Sequence, residues 1–104
     1  MYCFVVAYPN APGAKFDFTY YCEEHIPLLS RLIGENLVKL EVRKGLAAAD
    51  GAVAPFICMA NIWVLSVDEL RSTLELNGDE ISADIANYTN LAPLLQVDEV
   101  LQTA

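Results

Sequence analysis

His25 is the only imidazole in the chain, and it sits among residues that a proton-transfer site would use. The stretch from Phe16 to Leu29 reads FDFTYYCEEHIPLL and holds two of the five tyrosines and one of the three cysteines. Imidazole changes protonation near neutrality, so an inward histidine with a phenol beside it is a minimal general acid–base pair. On a helix Phe18, Cys22, His25, Leu29 and Leu32 recur at alternating four- and three-residue steps, which turns His25 inward with them. Tyr21 and Cys22 share that face, whereas Glu23 and Glu24 point to solvent. Pro27 has no N–H for the carbonyl of Glu23 and disfavours helical geometry at Ile26. A kink is therefore expected beside His25, with room between helix and sheet. The same spacing also fits a core histidine satisfied by a carbonyl or a phenol, and the residues alone leave both readings open.

Other chemistries find less support. Cys22 and His25 would be half a metal site, but zinc or iron needs three or four ligands and there is no second histidine, so no metal is expected. A nucleophilic cysteine wants an accessible, electropositive setting, which an apolar stripe does not provide. Glycine-rich nucleotide loops, a GxSxG elbow and an HExxH helix are all absent from the sequence, and no cofactor is expected. Asn61 is a lone amide in an apolar run, on one face with Met59 and Trp63. It either pins a strand or offers a ligand a hydrogen bond, and Gln96 raises the same question. Asp84, Asn87 and Tyr88 cluster late in the chain and read as turn chemistry.

The elements that must position these residues follow from periodicity. Tyr2–Tyr8 is a continuous apolar run, a strand covered on both faces, ended by Pro9-Asn10 and Pro12-Gly13. Asp17 caps a helix reaching about Ile33, with Phe16 and Tyr21 as a hydrophobic staple and Gly34 as its stop. Leu37–Lys44 alternates as a half-buried strand, and Gly45–Pro55 is a small-residue loop suited to a mobile lip. Phe56–Leu65 is the most apolar strand. Ser66-Val67-Asp68-Glu69 is a capping box that opens a helix to about Asn77, closed by Gly78, with a further turn over Glu80–Ala86. In Pro93–Leu101 the pattern returns to strand, with Leu95, Val97 and Leu101 on one side and Gln96 and Asp98 on the other.

The order β-α-β-β-α-β, with right-handed crossovers, folds as an α+β ferredoxin-like sandwich, one domain over residues 1–104. Helices cover one face of a four-stranded antiparallel sheet and leave the other bare. Strands one and three are apolar on both faces, so two sheets packed face to face are expected: a homodimer forming a dimeric α/β barrel. The composition agrees, since 55% of residues are hydrophobic and only 19% charged. A net charge of −8 repels phosphate backbones and anionic lipid, so neither nucleic acid nor membrane is an expected partner. No apolar run approaches the ~20 residues that span a bilayer, and no basic leader precedes the first strand. Three widely spaced cysteines in apolar segments read as reduced, buried thiols, and a cytoplasmic location is expected.

The residues also resemble a family. Tyr8-Pro9 with Gly13, then F-D-x-x-Y-Y-x-x-x-H-x-P-L from Phe16 to Leu28, is similar to the EthD family, as are Ala83–Thr89 and Pro93-x-x-Gln96. That resemblance implies a dimeric α/β barrel of ferredoxin-like subunits. The family is named for a protein associated with degradation of ethyl tert-butyl ether, and related barrels include cofactor-free isomerases, dehydratases and monooxygenases. Carried over by position, His25 is the acid–base residue with Tyr21 beside it. The expected function is a cofactor-free enzyme acting on a small apolar carbonyl or phenolic compound. Tyr21 and Asn61 or Gln96 would hold the substrate's oxygen, and Phe18, Met59 and Trp63 would form apolar walls. The alternative is a ligand-binding or accessory protein that supports an oxygenase without chemistry of its own.

Overall fold

Alternation along the first strand decides which side chains face the helices. The computed structural model describes residues Met1–Ala104. It places β1 (Tyr2–Pro9) inside a sheet of order β2-β3-β1-β4, between β3 (Phe56–Val64) and β4 (Leu94–Glu99), with β2 (Leu37–Lys44) on the outer side of β3. All three pairings are antiparallel. Phe4 lies opposite Ile62 and Val97, and Val6 opposite Ala60 and Leu95, so these residues share one face. Phe4, Val6, Tyr8, Cys58, Ala60, Ile62 and Val64 are buried there beneath the helices. Val5, Asn61 and Gln96 form a row on the opposite face, as do Ala7, Met59 and Leu94.

The first helical stretch is built in three pieces: α1 (Phe18–Tyr20), a π-helical turn (Tyr21–His25) and α2 (Ile26–Ile33). Asp17 caps it by accepting from the Tyr20 N–H at 3.0 Å. Pro27 produces no simple kink. The Ile26 N–H donates to the Tyr21 carbonyl five residues back, and Pro27 then stands in the first turn of α2, where its missing N–H is not needed. The added residue in that turn rotates the preceding segment relative to an unbroken α-helix. Tyr21 and His25 are consequently buried, and Cys22, expected as a core thiol, is exposed. Cys3 and Cys58 are buried as expected.

Gly34, at φ 62, turns the chain out of α2. Asn36, 6% exposed, then locks β2 to the β3–α3 junction: its amide donates to the Ser66 carbonyl at 2.9 Å, and its oxygen accepts from Ser66 and Leu65. Ser66 caps α3 (Val67–Ile85) by accepting from the Glu69 N–H at 3.2 Å. This helix is longer than the sequence implied. Gly78 does not close it, and the expected short turn after it is the same helix continuing. The backbone of Gly78 is not left-handed, and the apolar stripe Leu70, Leu74, Ile81 and Ile85 packs onto the core on both sides of it. Leu101 falls beyond β4 and is 87% exposed.

Candidate functional site

His25 and Asp84 come from opposite ends of the helical layer and meet at 2.8 Å, Nδ1 to Oδ2. Two sets of bonds bring them together. The π-helical turn aims His25 inward, and the segment after α3 is stitched to the segment before α1. The Asp17 N–H donates to the Tyr88 carbonyl at 2.8 Å, and the Thr89 hydroxyl donates to the Lys15 carbonyl at 2.6 Å. Asp84, in the last turn of α3, is thereby held over the imidazole. The Tyr20 hydroxyl donates to its other oxygen at 2.6 Å and the Asn87 amide at 3.0 Å. Burial penalises this carboxylate, but the bonds from Tyr20, Asn87 and His25 together outweigh that penalty and hold Asp84 below the usual aspartate range.

The tautomer follows from this arrangement. An ionised Asp84 accepts and cannot donate, so the neutral imidazole carries its proton on Nδ1 and its lone pair on Nε2. His25 is 2% exposed, and its one hydrogen bond to the protein is through Nδ1. It borders a cavity of about 180 Å³ between sheet and α3, lined also by Phe4, Val6, Tyr8 and Leu29, by Leu74, Gly78, Ile81, Ser82 and Ile85 of α3, and by Pro93 and Leu95. The wall is largely hydrocarbon, and a lone imidazole base in it is the arrangement for removing or delivering one proton on an apolar molecule.

Phenols surround the histidine. The Tyr21 ring stacks on the imidazole at 5.5 Å and 17°, and the Tyr88 ring packs at 4.7 Å. The Tyr8 and Tyr88 hydroxyls share a 2.6 Å hydrogen bond. Burial pushes all three phenols above their ordinary range, Tyr21 and Tyr88 furthest, so they stay neutral. The Tyr21 hydroxyl is fully buried without a partner, and the phenol that lines the cavity is Tyr8.

The residues expected from sequence divide between two faces of the sheet. His25 and Tyr21 stand together on the helix side. Phe18 is close by, in the aromatic cluster rather than the cavity wall, 4.6 Å from Phe16 and under the Lys44 ammonium. Asn61, Met59, Trp63 and Gln96 all point away from His25, across the sheet. Asn61 donates to Glu41 at 3.3 Å, Gln96 donates to Asp98 at 2.8 Å, and Lys39 lies over the Trp63 ring. Met59 and Gln96 border a separate groove with Val5, Ala7, Phe56 and Leu94. The Gly45–Pro55 loop, expected as a lip, contributes nothing to the His25 cavity. Asp84, read from sequence as turn chemistry, is the histidine's partner, and Tyr8, read as a strand residue and as part of the family motif but given no role in the site, is the cavity phenol. The signal for Asp84 was its place beside Asn87 and Tyr88, but no local pattern pairs residues 59 positions apart.

Comparison with known proteins agrees with the fold. The EthD domain profile matches residues 14–92. The chain belongs to the EthD family. An EthD-like protein from Ralstonia eutropha is 38% identical over 99% of this chain and 94% of its own, with a TM-score of 0.93. An EthD family protein from Bacillus halodurans is 17% identical, covers 97% of this chain and 100% of its own, and superposes at a TM-score of 0.71. HapK from Hahella chejuensis is 12% identical over 100% of this chain and 96% of its own, at a TM-score of 0.65. These last two likenesses are of fold alone. Among curated proteins, none matches the chain. Within this EthD chain, no group of three or more His, Cys, Asp or Glu side chains is arranged to hold a metal ion, and no helix is long and apolar enough to cross a membrane.

Proposed function

We propose that this EthD protein is a cofactor-free enzyme whose His25 transfers a proton on a small, mostly apolar carbonyl or phenolic compound seated in the helix–sheet cavity. The observation that carries this reading is the 2.8 Å bond from His25 to a buttressed Asp84 beside an apolar cavity. The bond leaves Nε2 as the base. A substrate with an acidic O–H, or a C–H next to a carbonyl, matches that single acceptor, and a charged substrate would be desolvated against hydrocarbon without compensation. Tyr8 lines the cavity beside His25, and Tyr21 keeps the imidazole plane in place by stacking. Isomerisation, dehydration and cofactor-free oxidation all begin with such a proton transfer.

The test is solvent deuterium incorporation into a panel of enolisable ketones and alkylphenols, followed by NMR without added cofactor. Wild type should exchange at least one class, and His25→Ala should fall by roughly 10²–10⁴-fold while keeping the wild-type circular dichroism. Equal exchange by the two proteins would remove His25 from the mechanism.

One feature favours a second reading, a ligand carrier or accessory protein for an oxygenase. The Tyr8 hydroxyl is already bonded to Tyr88, so a guest meets little besides Nε2. Tight binding of the panel without exchange in any member would decide for the carrier. On either reading the protein works as a cytoplasmic homodimer, with the open sheet faces of two subunits closing a barrel. Leu94, 59% exposed on the edge strand, supports that pairing.

A further inference from the structure

One position on the α3 wall of the cavity has no side chain. Leu74, Ile81 and Ile85 line it from that helix, and their spacing puts position 78, one turn after Leu74, on the same face. That position is Gly78, inside a 19-residue helix, where glycine is a poor choice on propensity alone. Neither of the usual reasons for a glycine applies here. The helix runs on to Ile85, so Gly78 is not a stop. Its φ is not positive, and a Cβ built on it meets no heavy atom within 4 Å. Alanine would therefore fit without strain. What glycine leaves is open space, bordered across the cavity by His25.

We propose, on the reading of this cavity as the binding site, that Gly78 sets the size of the guest: the absent side chain leaves room for the apolar end of a molecule whose oxygen is held at His25 Nε2. The guest is one-headed, with a single polar group at His25 and a hydrocarbon body along Leu74, Gly78 and Ile81. An apolar cavity of roughly 150 Å³ takes a benzene ring. The present one, about 180 Å³, suits one ring with a short alkyl arm.

The experiment titrates full-length wild type, Gly78→Ala and Gly78→Leu with phenol, 4-methylphenol, 4-ethylphenol and 4-propylphenol by calorimetry, with thermal melts alongside. In wild type, affinity should rise with the alkyl arm. Gly78→Ala should melt at or above the wild-type temperature, keep phenol, and lose about tenfold on the longest arm that wild type accepts. Gly78→Leu should lose every alkylated member; if it does not fold, Gly78→Ala carries the comparison. The same chain-length profile in wild type and Gly78→Ala, with phenol binding weakened by His25→Ala, would overturn the role of Gly78 and leave the site standing. Wild type binding none of the series would overturn both.

Discussion

An imidazole whose Nδ1 is bonded to a carboxylate has given up its freedom to exchange tautomers, and in the proposed reaction that restriction directs His25 to act through Nε2. Asp84 is the residue to test. Its carboxyl is held below the ordinary range by Tyr20, Asn87 and His25 against the penalty of burial. A group whose folded pKa is depressed contributes stability that is present above its unfolded value, near ~3.9 for aspartate, and is lost as pH falls through the folded value. Asp84→Asn should therefore lose less stability than wild type between about pH 4 and pH 2, read as the shift of the urea midpoint with pH. Its proton-exchange rate should also drop, by roughly 10²–10⁴-fold, because an amide does not fix the tautomer. A wild-type acid limb in the variant would show that the carboxylate is not coupled to folding. Tyr21 belongs to the same scale. Fully buried and with an unpaired hydroxyl, it supports the imidazole with its ring.

Elements carry the second level of the design. The π-helical turn and Pro27 solve one problem together: the turn shifts hydrogen bonding by a residue, and Pro27 takes the place where no donor is required. That shift turns Tyr21 and His25 inward and Cys22 outward. At the other end of the sheet, β2 leaves its pairing through Gly45, whose N–H donates to the Ile57 carbonyl at 2.9 Å. A Cβ on Gly45 would come 2.1 Å from the Phe56 carbonyl oxygen. Both are backbone-anchored, so relief requires the strands to part. Gly45→Ala should destabilise the fold by about 1–3 kcal/mol in urea denaturation, although it lies outside the His25 cavity. A variant as stable as wild type would mean that this junction yields freely.

At the scale of the whole molecule, the two faces of the sheet divide the work. The helix face holds the core, the dyad and the cavity. The open face carries Val5, Met59, Asn61, Trp63 and Leu94, with Glu41 bonded to both Asn61 and Arg43 at 3.3 Å. A half-apolar face with an exposed edge strand is the kind of surface a second subunit covers. Light scattering after size exclusion should give twice the subunit mass, and Leu94→Glu should shift the protein toward monomer with its circular dichroism unchanged. A wild-type monomer at micromolar concentration would remove the barrel from the account.

The sequence by itself determined the local and periodic features. The caps at Asp17 and Ser66, the stop at Gly34, the strand alternation and the helix–strand order are set by neighbours a few residues apart, and the order admits few topologies. The inward histidine was expected from the helical stripe and is buried, but it is the π-helical turn rather than an unbroken stripe that sets it there. Tertiary structure decided the rest, because each remaining feature depends on residues distant in sequence. The phase of the helix around Cys22 was settled by a π-helical turn that helical periodicity does not encode. The side of the sheet on which Asn61, Met59, Trp63 and Gln96 fall was settled by register against β1. Gly78 reads as a stop until the apolar stripe on both sides of it packs on the core. Asp84 reads as turn chemistry until the chain after α3 is stitched to the start of α1, bringing its carboxylate within 2.8 Å of the one imidazole.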